Sequence, residues 1–396
     1  MSVFPLLCEV FMLAAALRRA MIASGVTAAA LTAGVLPADA ATTGWRIFAH
    51  VPAPAGRHGV LFAVHADAPG DAWGAGAIPT TNSASALVDR WNGTRWTQVR
   101  LPSTVTGKLG STSLFLTVGS SSAANVWAFG ICGSHASACW LHRGGSAWTA
   151  GRLSVQRFGR VFIDHVLVIG RRNVWAFGAK TTPHGLRAFA MHNNGAGWKV
   201  EPPPGNAGVV DASAVSSSDI WAVEGASVIS AGTAKGAVIH WSSGRWHNLA
   251  LPKPLQGHPV DSVEAFGDAN VWVGGATRNS KSGTTEAVGH WNGRRWSVTT
   301  MRVAAARAKF ATIALAPDGH GGLWAVGGDV QSSRATRLWH FSSGRWSRAS
   351  VAGSSKPLIL VALAPVPGAK SVWGVGATVS KQTATGVIAL DGPVPH

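Results

Sequence analysis

The sequence predicts an all-β fold built from seven similar units, and three observations support this prediction. A short pattern centred on Trp, usually followed by a small residue, an apolar residue and Gly, recurs at intervals of 46–54 residues. A second Trp follows each copy but the last, after a tight turn made of Gly, Ser or Asn. No amphipathic helix pattern appears after residue 40, in a chain of 396 residues with 48 Gly, 19 Trp and no Tyr.

The first pattern marks one strand of each unit. Four β-prone runs can be assigned per unit, and we label them strands a to d; in the first unit they are LFAVHA, AWGAGA, ALVDRW and RWTQVRL. A four-stranded sheet repeated seven times predicts a seven-bladed β-propeller, in which neighbouring sheets cover each other's faces. The b-strand Trp residues that mark the seven blade cores are Trp73, Trp127, Trp175, Trp221, Trp272, Trp324 and Trp373.

Strands c and d are joined by a turn that the sequence repeats almost unchanged, as RWNGTRW and HWNGRRW show. A tight Gly-containing turn between two β-prone runs predicts a β-hairpin, and we expect Trp91 and Trp96 to face each other across the first one. In six units a basic residue precedes the d-strand Trp by six positions: Arg90 and Trp96, His142 and Trp148, His192 and Trp198, His240 and Trp246, His290 and Trp296, His340 and Trp346.

The seventh unit lacks a d strand, because the chain ends soon after its c strand. The segment GWRIFAHVP, residues 44–52, copies the d-strand pattern with Trp45 in the Trp position. We therefore predict that the N-terminal strand 44–52 closes the last blade. Such closure would remove the open sheet edges that promote aggregation.

The first 40 residues have the pattern of an export signal rather than of a folded unit. Arg18 and Arg19 precede an apolar, Ala-rich run that ends in an A-D-A cleavage pattern at Ala40. We expect residues 1–40 to be a signal peptide cleaved near Ala40, and residues 41–396 to form a single propeller. The mature protein would then be secreted or held at the cell surface. An uncleaved membrane anchor is the alternative for the same stretch.

Export also predicts the state of two cysteines. Cys132 and Cys139 lie at the two ends of one short loop. Two Cys at this spacing in a secreted chain predict a disulfide, whereas a metal site would need more ligands than two thiolates.

The repeats resemble those of secreted actinobacterial β-propeller proteins whose blades carry VWAVG and HWNGxxW. They are more distantly similar to kelch repeats, as in the central domain of galactose oxidase, through Gly274-Gly275, Gly327-Gly328 and the d-strand Trp. The third-strand tyrosine of a kelch blade is missing from every blade, and the c–d turn resembles the Asp-box hairpin of sialidases without its Asp. The resemblance implies the propeller fold and no particular activity, since one fold hosts many functions.

The loops that vary in length predict where a partner binds. The b–c and d–a connections vary from unit to unit and lie on one face of a propeller, whereas the a–b and c–d turns are nearly constant. The b–c loops carry the candidate ligand-binding residues Lys180, Arg187, Lys235, Arg278, Lys281, Arg334 and Lys381. The d–a connections add Lys108, Arg157, Arg160, Arg302, Arg307, Lys309 and Lys356, and few acids oppose them, chiefly Asp329 and Glu286.

With a formal net charge of +17, this pattern predicts a binding or scaffold propeller for an anionic partner. The partner would be an acidic polysaccharide, a wall polymer or an acidic protein. A solubilising surface with no partner is the alternative. We expect no nucleic acid, because the aromatic residues are used inside the blades and export removes the usual substrate. We expect a monomer.

Catalysis has less support in the sequence. The absence of Tyr excludes a tyrosine nucleophile of the sialidase kind, and a glycosidase needs two facing carboxylates. The acids on or near the innermost strands are Asp67, Asp164, Asp211, Asp261 and Glu264. Asp164 and His165 are the one pair suited to acid–base work, but adjacent strand residues point to opposite faces. A polysaccharide hydrolase or lyase with its site in the channel remains the rival function.

The recurring c-strand histidines do not predict a metal centre. They are His142, His192, His240, His290 and His340. Because they lie in different blades at a large radius from the axis, they cannot converge on one ion. We expect each to make a structural hydrogen bond within its own blade, and we expect Asp71 and Asp219 to bond turn backbone. The sequence therefore predicts no metal site and no cofactor.

Overall fold

The computed structural model describes residues 44–54, 57–80, 83–134, 136–225, 235–278, 284–301, 310–329, 335–380 and 384–396. Within these ranges, 28 strands form seven antiparallel sheets of four strands each. The predicted all-β fold with seven four-stranded blades is therefore confirmed.

The strands of blades 1 to 4 follow the chain in the order a, b, c, d. They are β2 (Val60–Ala68), β3 (Asp71–Pro79), β4 (Ala84–Trp91) and β5 (Trp96–Gln98); β6 (Ser113–Ser122), β7 (Asn125–Cys132), β8 (Ser137–Gly144) and β9 (Ala147–Arg152); β10 (Val161–Gly170), β11 (Asn173–Thr182), β12 (Gly185–Asn193) and β13 (Trp198–Val200); β14 (Gly208–Ser216), β15 (Asp219–Gly225), β16 (Ala237–Ser242) and β17 (Arg245–Leu249).

Blades 5 and 6 follow the same order, and blade 7 takes its outermost strand from the N-terminal end of the described chain. The strands are β18 (Val260–Gly267), β19 (Asn270–Arg278), β20 (Thr284–Trp291) and β21 (Trp296–Thr300); β22 (Phe310–Pro317), β23 (Leu323–Asp329), β24 (Arg337–Ser342) and β25 (Arg345–Ala349); β26 (Leu358–Pro365), β27 (Val372–Val379), β28 (Ala384–Asp391) and β1 (Arg46–His50). Short helices at Ser103–Leu109, Val155–Phe158 and Lys253–Leu255 lie in d–a connections.

Blade 7 is closed by β1, as the sequence predicted. β1 pairs antiparallel with β28, with Arg46 opposite Leu390 and His50 opposite Val387. The segment after β28 adds a second link, because the indole Nε1 of Trp91 in blade 1 donates to the carbonyl oxygen of Pro395 at 3.2 Å. The first described segment therefore completes blade 7, and the last one joins blade 7 to blade 1.

The blades are held together by tryptophan pairs. In six of the seven junctions, the b-strand Trp of one blade packs edge-on against the d-strand Trp of the next, with ring centroids 5.3–6.2 Å apart. Trp221 and Trp296 share one apolar cluster at the seventh junction. The pairs with measured ring contacts are Trp73 with Trp148, Trp127 with Trp198, Trp175 with Trp246, Trp272 with Trp346, Trp324 with Trp45, and Trp373 with Trp96.

The Trp–Trp contact expected across the hairpin is present as well, in addition to the contacts between blades. Trp91 lies opposite Trp96 across the first c–d hairpin, and their ring centroids are 6.2 Å apart. Trp96 also packs against Trp373 of blade 7. The d-strand Trp thus recurs from blade to blade mainly because it packs against the neighbouring blade.

Every innermost strand carries a β-bulge at the same position. The skipped residues are Phe62, Leu116, Asp164, Val210, Asp261, Ile313 and Val361. A bulge breaks the alternation of side chains along a strand. Strict alternation, which would point Asp164 and His165 to opposite faces, does not hold here, because the bulge lies at Asp164. Both residues are half-buried.

The bulge also explains the Gly three positions after the b-strand Trp. A Cβ at Gly76 would collide with the carbonyl oxygen of Val60 on the neighbouring a strand, and Gly130, Gly178 and Gly376 meet the same obstacle. The repeat therefore retains Gly because two backbones approach closely.

Trp45 is the residue on which closure depends most. It is 3% exposed and packs edge-on against Trp324. We expect Trp45→Ala to lower the free energy of unfolding by about 3–5 kcal/mol, the usual cost of removing a large buried aromatic side chain. Denaturant unfolding would measure this change. Phe266→Ala, at a side chain that is 45% exposed, is the control, and an equal loss in both variants would contradict the account of closure.

Candidate functional site

We call the side of the ring that carries the b–c hairpin ends and the d–a connections the loop face. In blade 3 the β11–β12 hairpin places Lys180 directly opposite Arg187. Arg187 is exposed, and Lys180 is half-buried against Gly159 of the preceding d–a connection. Like charges directly opposite each other in an antiparallel pair are unfavourable. This arrangement therefore does not serve the stability of the sheet.

A second basic group lies at the junction of blades 4 and 5. Lys235 and Arg278 are both exposed. The backbone N–H of Gly236 donates to the carbonyl oxygen of His258 at 3.0 Å, which places Lys235 beside His258. Burial and then the positive charge of Arg278 lower the pKa of His258, so His258 and Arg278 are also neighbours. Ion pairs within the described residues include none of Lys180, Arg187, Lys235 or Arg278.

The remaining predicted binding residues divide into two sets. Lys281, Arg334, Lys381, Arg302, Arg307 and Lys309 lie outside the described residues. Lys108, Arg157, Arg160 and Lys356 are exposed in d–a connections. Arg157 is already engaged, because its guanidinium Nη2 donates to the carbonyl oxygen of Trp198 at 2.6 Å.

Glu286 does not oppose this basic charge at the surface, contrary to the sequence analysis. It is fully buried between blades 5 and 6. Its carboxylate accepts from Arg337 Nε at 3.0 Å and from the indole Nε1 of Trp339 at 2.7 Å. The loop face is thus less balanced by acids than the sequence suggested.

Polar side chains from blades 3 to 5 meet on the innermost strands. The imidazole Nδ1 of His165 lies 3.0 Å from Asp211 Oδ1 of the next blade. Asp211 Oδ1 also accepts from the backbone N–H of Ala212 at 3.0 Å, and its Oδ2 accepts from that of Val263 in blade 5 at 2.9 Å. Asp211 therefore links three successive blades, and this use of its oxygens is structural.

Glu264 of blade 5 adds a second carboxyl group to this cluster. Burial, followed by the nearby charge of Asp211, raises the pKa of Glu264 to about 8, so this carboxyl is mostly protonated at neutral pH. The Ser213 hydroxyl donates to Glu264 Oε1 at 3.5 Å and accepts from the backbone N–H of Ala265 at 3.1 Å. The sequence named Asp164 as the partner of His165, whereas the structure gives His165 the carboxylate of Asp211.

The opposite side, which carries the a–b and c–d turns, is here called the turn face. Each of the five c-strand histidines stacks on the b-strand Trp of its own blade, with ring centroids 3.9–4.2 Å apart. Each also bonds an Asn or Asp in front of that Trp: His142 with Asn125, His192 with Asn173, His240 with Asp219, His290 with Asn270, and His340 with Asp318. The histidines thus make the structural hydrogen bond that we expected.

Blade 1 builds the same unit with a different side chain. The Arg90 guanidinium lies over the Trp73 ring, and its Nε donates to Asp71 Oδ1 at 3.0 Å. Asp71 and Asp219 therefore bond the c-strand side chains Arg90 and His240, and the expectation that they bond turn backbone was wrong. These side-chain bonds account for the His or Arg at this c-strand position in blades 1 to 6, whereas blade 7 has Leu390 opposite Trp373.

Two buried acids, Asp89 and Glu224, were not predicted from the sequence. Asp89 is fully buried, and neither of its oxygens has a hydrogen-bond partner. Glu224 is 2% exposed and replaces the Gly that other blades carry three positions after the Trp. Burial raises the pKa of each carboxyl to about 8. The apolar run Leu87-Val88 before Asp89 was the available signal, since it marks a strand buried on both faces.

The predicted disulfide between Cys132 and Cys139 is present. Both cysteines are fully buried at the end of the β7–β8 hairpin. The bridge therefore fixes the b–c connection of blade 2, at the loop face.

None of the described helices is long and apolar enough to cross a membrane. Residues 1–40, the predicted signal peptide, lie outside the described residues, so their role stays a prediction.

The fold and this geometry define a seven-bladed β-propeller with a basic loop face. No family model and no curated protein sequence matches the chain. Among solved structures, YCF48 bound to D1 peptide is similar with a TM-score of 0.56 and 13% identity, over 88% of this chain and 96% of that one. A puromycin-hydrolyzing peptidase of Mycobacterium tuberculosis is similar with a TM-score of 0.51 and 12% identity, over 85% of this chain and 52% of that one. This chain thus spans about half of the peptidase, and identities this low show the fold alone.

The buried acid Asp89 gives a stability prediction. Its pKa of about 8 in the folded protein lies above the unfolded value of about 4, so the folded state retains a proton that the unfolded chain releases between these pH values. The stabilising effect of this proton is complete below about pH 4 and declines as the pH rises to about 8.

We therefore expect Asp89→Asn to increase the free energy of unfolding by about 1–4 kcal/mol at pH 7 and to change it little at pH 4. Denaturant unfolding across this pH range would measure the difference. A difference that is independent of pH would show that Asp89 is ionised in the folded protein.

Proposed function

We propose that the protein is a non-catalytic binding module whose loop face holds an acidic segment of another protein. The observation that carries this proposal is the Lys180–Arg187 pair, two cations placed opposite each other, neither of which forms an ion pair with a carboxylate of the described residues. A bound carboxylate would relieve this repulsion, because it would be attracted by both Lys180 and Arg187.

The second basic group supports the same conclusion. Lys235, His258 and Arg278 come from neighbouring blades, so the folded ring rather than local sequence brings them together. Blades 3, 4 and 5 therefore present two separate clusters of positive charge on one face. An extended acidic segment could contact both clusters, whereas a single small anion could not.

A peptide partner is consistent with the comparison structures. The YCF48 structure, which shares this fold, was solved with the D1 peptide bound. This supports a protein partner for the present chain without identifying it. Acidic polysaccharides and wall polymers carry the same charge and are the other outcomes of the test below.

We further propose that the protein acts outside the cell, as a monomer. The basis is the export pattern of residues 1–40 together with the Cys132–Cys139 disulfide, a bond typical of oxidising compartments.

The binding proposal predicts the effect of charge reversal on the loop face. Poly-L-glutamate is the probe, with polyphosphate and an acidic polysaccharide in parallel, over a series of salt concentrations. We expect Lys180→Glu combined with Arg187→Glu to weaken binding of the polypeptide at least about tenfold, because two attractive charges become repulsive. Binding should also fade as salt rises, since exposed charges are screened.

The matched control is Arg294→Glu combined with Arg295→Glu. These arginines are exposed in a c–d turn, on the turn face, and the change in net charge is the same. An equal loss in both double variants would mean that binding follows overall charge rather than the loop face. If polyphosphate or the polysaccharide binds more tightly than poly-L-glutamate, that polymer rather than an acidic protein segment is the partner.

One observation favours the rival function in the channel. The protonated carboxyl of Glu264 and the imidazole of His165, held by Asp211, are an acid and a base of the kind that polysaccharide cleavage needs. The binding proposal predicts no release of reducing ends from a panel of acidic polysaccharides. Turnover that disappears in His165→Gln and Glu264→Gln would overturn the non-catalytic proposal.

A further inference from the structure

Three potential metal ligands converge on the turn face at the junction of blades 4 and 5. The imidazole Nε2 of His240 lies 2.7 Å from Asp219 Oδ1 in the same blade and 3.8 Å from Asp268 Oδ1 in the next blade. All three ligand atoms lie within 4.8 Å of one another. Among the described residues, no other group of three His, Cys, Asp or Glu side chains meets this criterion.

The imidazole is held in a fixed orientation. The His240 ring stacks on Trp221 with centroids 4.0 Å apart and planes inclined by 14°. His240 and Trp221 are also direct partners in the β15–β16 register. A ligand whose ring is already oriented loses little freedom when it binds an ion.

The third ligand is accessible from solvent. The Asp268 side chain is 76% exposed. Its backbone is anchored, because the indole Nε1 of Trp291 donates to the Asp268 carbonyl oxygen at 3.1 Å. An ion could therefore reach the cluster from outside and retain water at its open positions.

The other blades of the same chain provide an internal comparison. Blades 2, 3 and 5 repeat the stacked histidine but carry Asn125, Asn173 and Asn270 where blade 4 has Asp219. Their structural hydrogen bond therefore needs only an amide oxygen. A carboxylate at this position is therefore not required for folding. In blade 4, however, the Asp219 carboxylate is accompanied by a second carboxylate, that of Asp268.

Blade 6 is the nearest variant. Asp318 Oδ2 lies 2.7 Å from His340 Nε2, as in blade 4. The neighbouring carboxylate, Asp391, is occupied by the indole Nε1 of Trp324, which donates to Asp391 Oδ2 at 2.9 Å. Blade 6 thus has the pair of ligands without an available third.

Electrostatics in blade 4 favours a cation. One carboxylate oxygen of Asp219 and one of Asp268 lie within 4.8 Å of each other and of the His240 imidazole nitrogen. Two neighbouring carboxylates are unfavourable unless a proton or a cation lies between them.

We propose that Asp219, His240 and Asp268 bind a divalent transition-metal ion of the Zn²⁺ class, which links blade 4 to blade 5. One imidazole nitrogen and two carboxylate oxygens suit Zn²⁺, whereas Ca²⁺ and Mg²⁺ favour all-oxygen sites. Three protein ligands leave a fourth position for water. The sequence prediction of no metal site considered only the distances between histidines of different blades, and this arrangement needs just one of them.

The test uses residues 41–396 without an affinity tag, stripped of metal by a chelator and titrated with ZnCl₂ in a calorimeter. We expect one saturable site per chain and a rise in melting temperature when Zn²⁺ is bound, because the ion binds only the folded protein. Asp219→Asn and Asp268→Asn should each weaken Zn²⁺ binding at least about tenfold. Both variants should fold, since Asn occupies the position of Asp219 in three other blades and Asp268 is exposed.

His290→Gln is the matched control. His290 stacks on Trp272 and bonds Asn270, much as His240 stacks on Trp221 and bonds Asp219, but it belongs to no group of three potential metal ligands among the described residues. Its affinity for Zn²⁺ should equal that of the unmodified protein. Absence of saturable binding, unchanged affinity in both Asp variants, or an equal loss in His290→Gln would each overturn the proposal.

Discussion

The edge-on contact between a b-strand Trp and the d-strand Trp of the next blade is the interaction on which the ring depends. A single four-stranded sheet of this kind cannot bury both of its faces, so each blade needs its neighbours. Such aromatic pairs contribute about 0.5–1.5 kcal/mol each beyond the area that they bury. The contact is present at six of the seven junctions, and the pair of Trp45 with Trp324 packs the closing strand of blade 7 against blade 6.

The same repeat separates two faces with different roles. On the turn face, the c-strand His or Arg of blades 1 to 6 lies over the b-strand Trp and bonds Asp or Asn. The turn face therefore varies little, except that the a–b turn of blade 5 places Asp268 beside His240 of blade 4. On the loop face, the b–c ends and d–a connections do not take part in these Trp stacks and hydrogen bonds. Charges such as Lys180 and Arg187 could therefore accumulate there at some cost to the sheet.

Much of the fold could be predicted from the sequence because each structural role has its own spacing. The copy of the d-strand pattern around Trp45 was enough to predict the closing strand, and the tight Gly-containing turn before Trp96 predicted the hairpin. The bulge at Asp164 could not be predicted, since it arises where the innermost strand meets a neighbouring backbone. The pairing of His165 with Asp211 likewise depends on the rotation from one blade to the next, which sequence distance does not encode.

The candidate binding residues were predictable in kind but not in arrangement. A net charge of +17 and variable loops indicated a basic face. That Lys180 lies opposite Arg187, and that Lys235 lies beside His258, follows only from strand register and blade contacts. For Glu286 even the kind of role was not predictable. Its charge suggested a surface acid, but it lies buried between blades 5 and 6 and bonds Arg337.

Hydrogen–deuterium exchange with and without poly-L-glutamate would test most directly whether binding is confined to the loop face. The account predicts slower exchange at the b–c ends of blades 3 to 5, around Lys180, Lys235 and Arg278, with the c–d turns unchanged. Protection centred on the c–d turns, or spread evenly around the ring, would contradict it.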